Sequence, residues 1–165
     1  MNGNKRNIVL IGMSGCGKTT VGIKLSQMLE MEFVDADLYV EQKAGMTVKE
    51  IFAKNGEPGF RALEKKACQE LAQRRATVIA TGGGAVKDEE LMKLFDSALK
   101  VFIKRDIELI ISTADKNVRP LFTDDSAARR LYAERESLYL KYADIVVTND
   151  SDIDGCVQSI IKQYR

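Results

Sequence analysis

Ile8-Val9-Leu10-Ile11-Gly12-Met13-Ser14-Gly15-Cys16-Gly17-Lys18-Thr19 joins a short apolar run to a glycine-rich turn ending in Lys-Thr. The turn fits the phosphate-loop pattern G-x-x-x-x-G-K-[ST] at every fixed position: Gly12, Gly17, Lys18 and Thr19. Such a loop wraps successive backbone N–H groups around phosphate oxygens, an approach that bulky side chains would block. After it, Val21, Leu25, Met28 and Leu29 recur at helical spacing, so strand, loop and helix follow one another with the helix's positive end aimed at the loop. Lys18 is expected to reach the β- and γ-phosphates of a nucleotide, and Thr19 to offer its hydroxyl to Mg2+. The expected nucleotide-binding set is Gly12, Ser14, Gly15, Cys16, Gly17, Lys18, Thr19 and Thr20. At Cys16 two readings stand: a thiol activated by Lys18 and the helix end, or a small residue that the loop tolerates.

Outward from that stretch, apolar runs at 7–11, 32–34, 77–80, 99–103 and 145–148 predict five buried strands. Helical patterns lie between them. Thr47 followed by Glu50 has the spacing of a capping box, opening a short helix that Asn55 and Gly56 close. A second helix starts near Pro58, a residue suited to a first turn, and carries Phe60, Leu63, Ala67 and Leu71. Ile153, Val157, Ile160, Ile161 and Tyr164 predict a final helix packed on the sheet. Alternating strands and helices give an α/β class: a three-layer α/β/α fold around a central five-stranded parallel sheet, with residues 1–165 in one domain. The polar stretch 113–126 lacks periodicity and is expected to be a mobile lid.

Composition narrows the chemistry. The 165 residues include 25 basic and 24 acidic side chains, and a net charge of +1 supplies no global field for nucleic acid or an anionic membrane. There is no histidine, which removes Ser-His-Asp and Cys-His catalysis and most zinc chemistry. Cys16, Cys68 and Cys156 are three in number and far apart, a pattern that suits a reducing compartment. The run at 8–11 is too short for a signal or a membrane span, so a cytoplasmic location is expected, with no nucleic-acid or membrane partner and a monomeric state.

A phosphate loop leaves kinase, GTPase and motor open. The chain carries no Asn-Lys-x-Asp guanine motif and is short for a motor, which favours a small kinase. Phe33-Val34-Asp35-Ala36-Asp37 follows the second strand, and ligands of parallel sheets collect at the carboxyl ends of strands. Asp35 is expected to hold Mg2+ through water and Asp37 to accept a proton from an acceptor hydroxyl, although an acid here is also a good helix N-cap. Downstream come Gly56-Glu57, Phe60-Arg61-Ala62-Leu63-Glu64, Gly82-Gly83-Gly84-Ala85, Arg119-Pro120-Leu121 and Glu134-Arg135-Glu136-Ser137-Leu138-Tyr139. Alone, Arg61 with Glu64 also reads as a solvated helix face, the glycines as a strand-end turn, and Arg119 as a surface residue before a turn.

In order and spacing, over nearly the whole chain, this set resembles the shikimate kinase family. The resemblance implies ATP as phosphoryl donor, Mg2+ as cofactor and the 3-hydroxyl of shikimate as acceptor. It makes Lys18, Asp37 and Arg119 catalytic, with Arg119 as the lid arginine over the γ-phosphate. It makes Asp37, Arg61, Gly82, Gly83, Gly84 and Arg135 the substrate site, and Thr19 and Asp35 the metal site. That set also makes chemical sense, because a hydroxylated ring carboxylate calls for fixed guanidinium groups and close backbone amides. Where the family usually has Arg-Thr before the lid, with the arginine on adenine, this chain has Ser112-Thr113, and its segment between Arg119 and Arg135 is shorter. Two other functions fit parts of the pattern: a related kinase for gluconate or another polyhydroxy acid, and a nucleotide-binding module without catalysis.

Overall fold

The computed structural model describes residues 5–113 and 124–165. Most of the expected lid, and Arg119 with it, lies outside the described residues.

The five expected strands form: β1 (Ile8–Ile11), β2 (Glu32–Asp35), β3 (Thr77–Ala80), β4 (Leu99–Lys104) and β5 (Ile145–Thr148). All pairs are parallel, in the order β2-β3-β1-β4-β5. β1, β3 and most of β4 are buried on both faces, which is why they read as unbroken apolar runs rather than alternating ones. From β1 the chain moves to β2 and β3 on one side, then crosses to β4 and β5 on the other. The carboxyl end of β1 therefore sits where the winding reverses, and a crevice opens there.

Seven α-helices lie around the sheet among the described residues: α1 (Lys18–Leu29), α2 (Ala36–Ala44), α3 (Val48–Leu71), α4 (Glu89–Lys93), α5 (Ile107–Thr113), α6 (Asp125–Tyr142) and α7 (Ile153–Tyr164). The capping box is realised in both directions: Glu50 N–H donates to Thr47 Oγ1 at 3.1 Å, and Thr47 N–H to Glu50 Oε2 at 3.0 Å. The two helices expected around Gly56 run together as α3, broken inside by Gly56 at φ 67° and ψ −178°. The joint re-aims the second half of α3, whose Ala67, Cys68 and Leu71 are buried. α7 buries Val157, Ile160 and Ile161 as its stripe predicts. Among the described residues no helix is long and apolar enough to cross a membrane.

Candidate active site

Gly17, the residue before α1, has φ 100°, a left-handed conformation that favours glycine. It offers no side-chain cap and the first turn of α1 has no acid, so the helix's leading N–H groups lack side-chain partners. Such an end takes an anion readily. Lys18, 8% exposed, folds back so that its Nζ donates to the carbonyls of Gly12 at 2.6 Å and Met13 at 3.0 Å. Ser14, Gly15, Gly17, Lys18, Thr19 and Thr20 line a cavity of about 540 Å3. Gly12 and Cys16 support the loop from behind it. The Cys16 thiol is buried, 3.7 Å from Lys18 Nζ, and a Cβ on Gly12 would meet the Ile103 carbonyl at 2.7 Å.

The two aspartates divide the work of the β2–α2 turn. Asp35, not Asp37, caps α2: its Oδ1 accepts from the N–H groups of Asp37 at 2.9 Å and Leu38 at 3.1 Å. Its Oδ2 accepts from the Thr19 hydroxyl at 2.9 Å. A hydroxyl and a carboxylate in contact beside a phosphate cradle fit Mg2+, which takes one or two protein ligands and completes its shell with water and phosphates. Among the described residues no group of three or more acidic, cysteine or histidine side chains forms a metal cage.

Asp37, freed from capping, turns into the cavity, and its Oδ1 is out of water with no hydrogen-bond partner. Burial raises its pKa to about 7, and the charges of Glu64 and Asp35 add to the rise against Lys18 and Arg61. An acid poised near neutrality is suited to taking a proton from an alcohol.

Arg61 on α3 is held by two acids: Nη1 donates to Glu64 Oε1 at 2.9 Å, and Nη2 to Glu57 Oε1 at 3.3 Å. Glu64 is 1% exposed, and burial raises its pKa in spite of Arg61. Arg135 on α6 is 3% exposed, with its Nε unpartnered. Neither arginine is the solvated surface charge that local sequence allowed. Gly82, Gly83 and Gly84 lie at the end of β3 among these side chains. A Cβ on Gly82 would meet Glu64 Oε2 at 2.7 Å and Asp37 Oδ1 at 2.8 Å, and one on Gly84 would collide with the Arg61 guanidinium. At Gly83 it would meet Ser14 N at 3.2 Å and Arg135 Nη1 at 3.4 Å, so the absence of a side chain there leaves Arg135 close to the phosphate loop.

Four contributors escaped the sequence reading. Val48, Phe52 and Phe60 form an apolar wall, with the two phenyl rings 4.9 Å apart. Tyr139 donates its hydroxyl to the Gly83 carbonyl and stacks on Phe102, fixing the glycine turn from below. In sequence Phe60 was one member of a helical stripe, Tyr139 only a neighbour of Arg135, and nothing singled out Val48 or Phe52. Ser112 and Thr113 turn their hydroxyls back to the Leu109 carbonyl, at 3.0 and 2.8 Å.

Fold and cavity together define a P-loop kinase of small molecules. The shikimate kinase family model matches residues 14–165. A shikimate kinase of Clostridium botulinum (strain Alaska E43 / Type E3) is 41% identical over 160 residues, covering 96% of each chain. Among solved structures, a shikimate kinase of Acinetobacter baumannii in complex with shikimate superposes with a TM-score of 0.92 at 35% identity, over 96% of this chain and 92% of that one. The shikimate kinase of Aquifex aeolicus does so with a TM-score of 0.84 at 34% identity, over 94% of both. The chain belongs to the shikimate kinase family.

Proposed function

We propose that this protein transfers the γ-phosphoryl group of ATP to the 3-hydroxyl of shikimate, giving shikimate 3-phosphate and ADP. The observation that carries the reading is the meeting of Arg61, Arg135 and Asp37 around Gly82, Gly83 and Gly84, within the cavity that the phosphate loop also lines. A buried guanidinium group and a second one, partly exposed and held by two acids, suit one ring carboxylate, and the three glycines line the cavity that would take the ring. Gluconate is a carboxylate as well, but it is a flexible chain that would have to be ordered against the fixed wall of Val48, Phe52 and Phe60.

In this reading Arg61 and Arg135 fix the acceptor by its carboxylate, leaving a hydroxyl beside the Asp37 carboxyl group. As the hydroxyl oxygen attacks the γ-phosphorus in line, its proton passes to Asp37 and the bond from phosphorus to the ADP oxygen breaks. Lys18 exchanges its bonds to Gly12 and Met13 for phosphate oxygens and offsets their charge. Thr19 and Asp35 would hold Mg2+, which supplies charge neutralisation on the phosphates. Arg119 joins this set by family resemblance, as a cation over the γ-phosphate. Positioning and electrostatics contribute most of the rate in such transfers.

The protein acts in this proposal as a single-domain, cytoplasmic monomer with no nucleic-acid or membrane partner, consistent with its net charge of +1. The test is a coupled assay of ADP release with ATP and Mg2+, in the presence of shikimate, of gluconate or of neither. Shikimate-dependent release is expected. Release with gluconate alone would move the assignment to a sugar-acid kinase, and none with either would leave a nucleotide-binding module.

A further inference from the structure

Asn149, the residue after β5, is completely buried although it is an amide at the end of an edge strand. Each of its polar groups is engaged. Its backbone N–H donates to the Lys104 carbonyl at 2.7 Å, and its carbonyl accepts from Arg105 Nη1 at 3.5 Å. In the side chain, Oδ1 accepts from Ser151 N–H at 3.2 Å and Nδ2 donates to the Cys16 carbonyl at 2.8 Å. Only one orientation of the amide satisfies both contacts, because the oxygen cannot donate and the nitrogen cannot accept. Nδ2 also fills the place beside Gly17 where a Cβ would sit, at 2.5 Å.

The Cys16 carbonyl and the Gly17 N–H belong to one peptide unit, and the described chain has no cis peptide bond. In a trans peptide the two point in opposite directions. Tying the Cys16 carbonyl to Asn149 on the far side of the loop therefore turns the Gly17 N–H the other way, toward the cavity lined by Ser14, Gly15, Gly17 and Lys18. Gly17 alone would not hold that orientation, because glycine's freedom lets the unit rotate. A buried amide with two satisfied partners supplies the missing constraint.

We infer that Asn149 is a positioning residue for phosphate binding: it clamps the Cys16–Gly17 peptide so that the loop presents an ordered N–H group to the nucleotide before the nucleotide arrives. Ordering in advance lowers the entropy cost of binding. The inference rests on the nucleotide half of the proposed function alone.

Its test reads nucleotide and acceptor separately, by calorimetric titration of ADP and of shikimate into wild type, Asn149→Asp and Asn149→Ala. Asn149→Asp keeps the shape and the Ser151 contact but sets an acceptor against the Cys16 carbonyl. Asn149→Ala removes the donor without adding charge. ADP affinity is expected to fall about tenfold in Asn149→Ala and further in Asn149→Asp, the range for a buried carbonyl that loses its partner. Shikimate affinity should stay within twofold. A residue that merely braces the fold would lower the melting temperature and leave ADP affinity unmoved, and that outcome overturns the inference. Should neither variant fold, the side-chain amide of Asn149 in the wild-type chain is followed by nuclear magnetic resonance. Slow exchange and a shift on ADP saturation are expected, and an amide in fast exchange that ADP leaves unshifted overturns the inference. Wild type that binds ADP but shows no shikimate-dependent turnover would remove the acceptor assignment and leave the clamp standing.

Discussion

Asp37 and Glu64 each aim a buried, unpartnered carboxylate oxygen into the space that a β-carbon on Gly82 would fill. The two acids belong to different helices and meet only because glycine leaves the room. Glu64 spends one oxygen on Arg61, so it steadies the cation proposed to bind the acceptor and raises the proton affinity of the proposed base with the same carboxyl group.

With Asp37 titrating at about 7, kcat/KM for shikimate is expected to climb with pH and level off above neutrality. Glu64→Gln keeps an acceptor for Arg61 but removes the charge facing Asp37, and should move the acid limb down by about half a pH unit or more. Initial rates across pH 5 to 9 on the two proteins check both expectations, and an unmoved limb in Glu64→Gln would dissociate the two carboxyl groups.

Asp37→Asn should leave ADP affinity within about twofold while turnover falls about 10²- to 10⁴-fold, the usual worth of a positioned base. It should also be more stable than wild type at pH 8. The folded pKa, about 7, lies above the unfolded 3.8, so the folded state holds the extra proton between those values and wild type loses stability as pH rises through that window. The difference between the two melting temperatures should therefore shrink toward pH 4, reaching about 3 °C or more only at the alkaline end.

Removing Arg61 strips the principal counter-ion from Glu64, a residue 1% exposed. Arg61→Ala is expected to cost about 2–4 kcal/mol of stability as well as acceptor affinity. The pair Arg61→Ala with Glu64→Gln should recover most of the stability and none of the affinity. Chemical denaturation and shikimate titration on the two variants separate those effects. Arg135→Ala should raise the shikimate KM at least about tenfold with little change in the ATP KM.

Asp35→Asn offers a clean separation of cap from metal ligand, because asparagine caps helices as well as aspartate does. Secondary structure and melting temperature should be nearly unchanged, while the Mg2+ concentration for half-maximal rate should rise about tenfold or more. A Mg2+ dependence that matches wild type would leave Asp35 with its structural duty alone.

Much of this molecule could be read from its residues. The strands were legible because buried parallel strands are unbroken apolar runs, and the Thr47–Glu50 box because its two hydrogen bonds lie within one helical turn. The ion-paired setting of Arg61 and the burial of Arg135 needed the family pattern, since nothing local separates them from solvated charges. Which aspartate caps α2 depended on where β2 ends, at Asp35 rather than one residue earlier. Asn149 could not be found from local sequence: a lone asparagine after a strand looks like a turn former, and its partner Cys16 is 133 residues away.

Asp35 grips the start of α2 with one oxygen and Thr19, at the start of α1, with the other. The gap across which the phosphoryl group would travel is thereby gauged by a single short side chain: phosphate loop on one jaw, the proposed proton acceptor on the other. A glutamate there would keep the charge and the valence of every group present, yet open the calliper by one methylene. Geometry of this kind explains why an enzyme can be spoiled by a substitution that removes nothing.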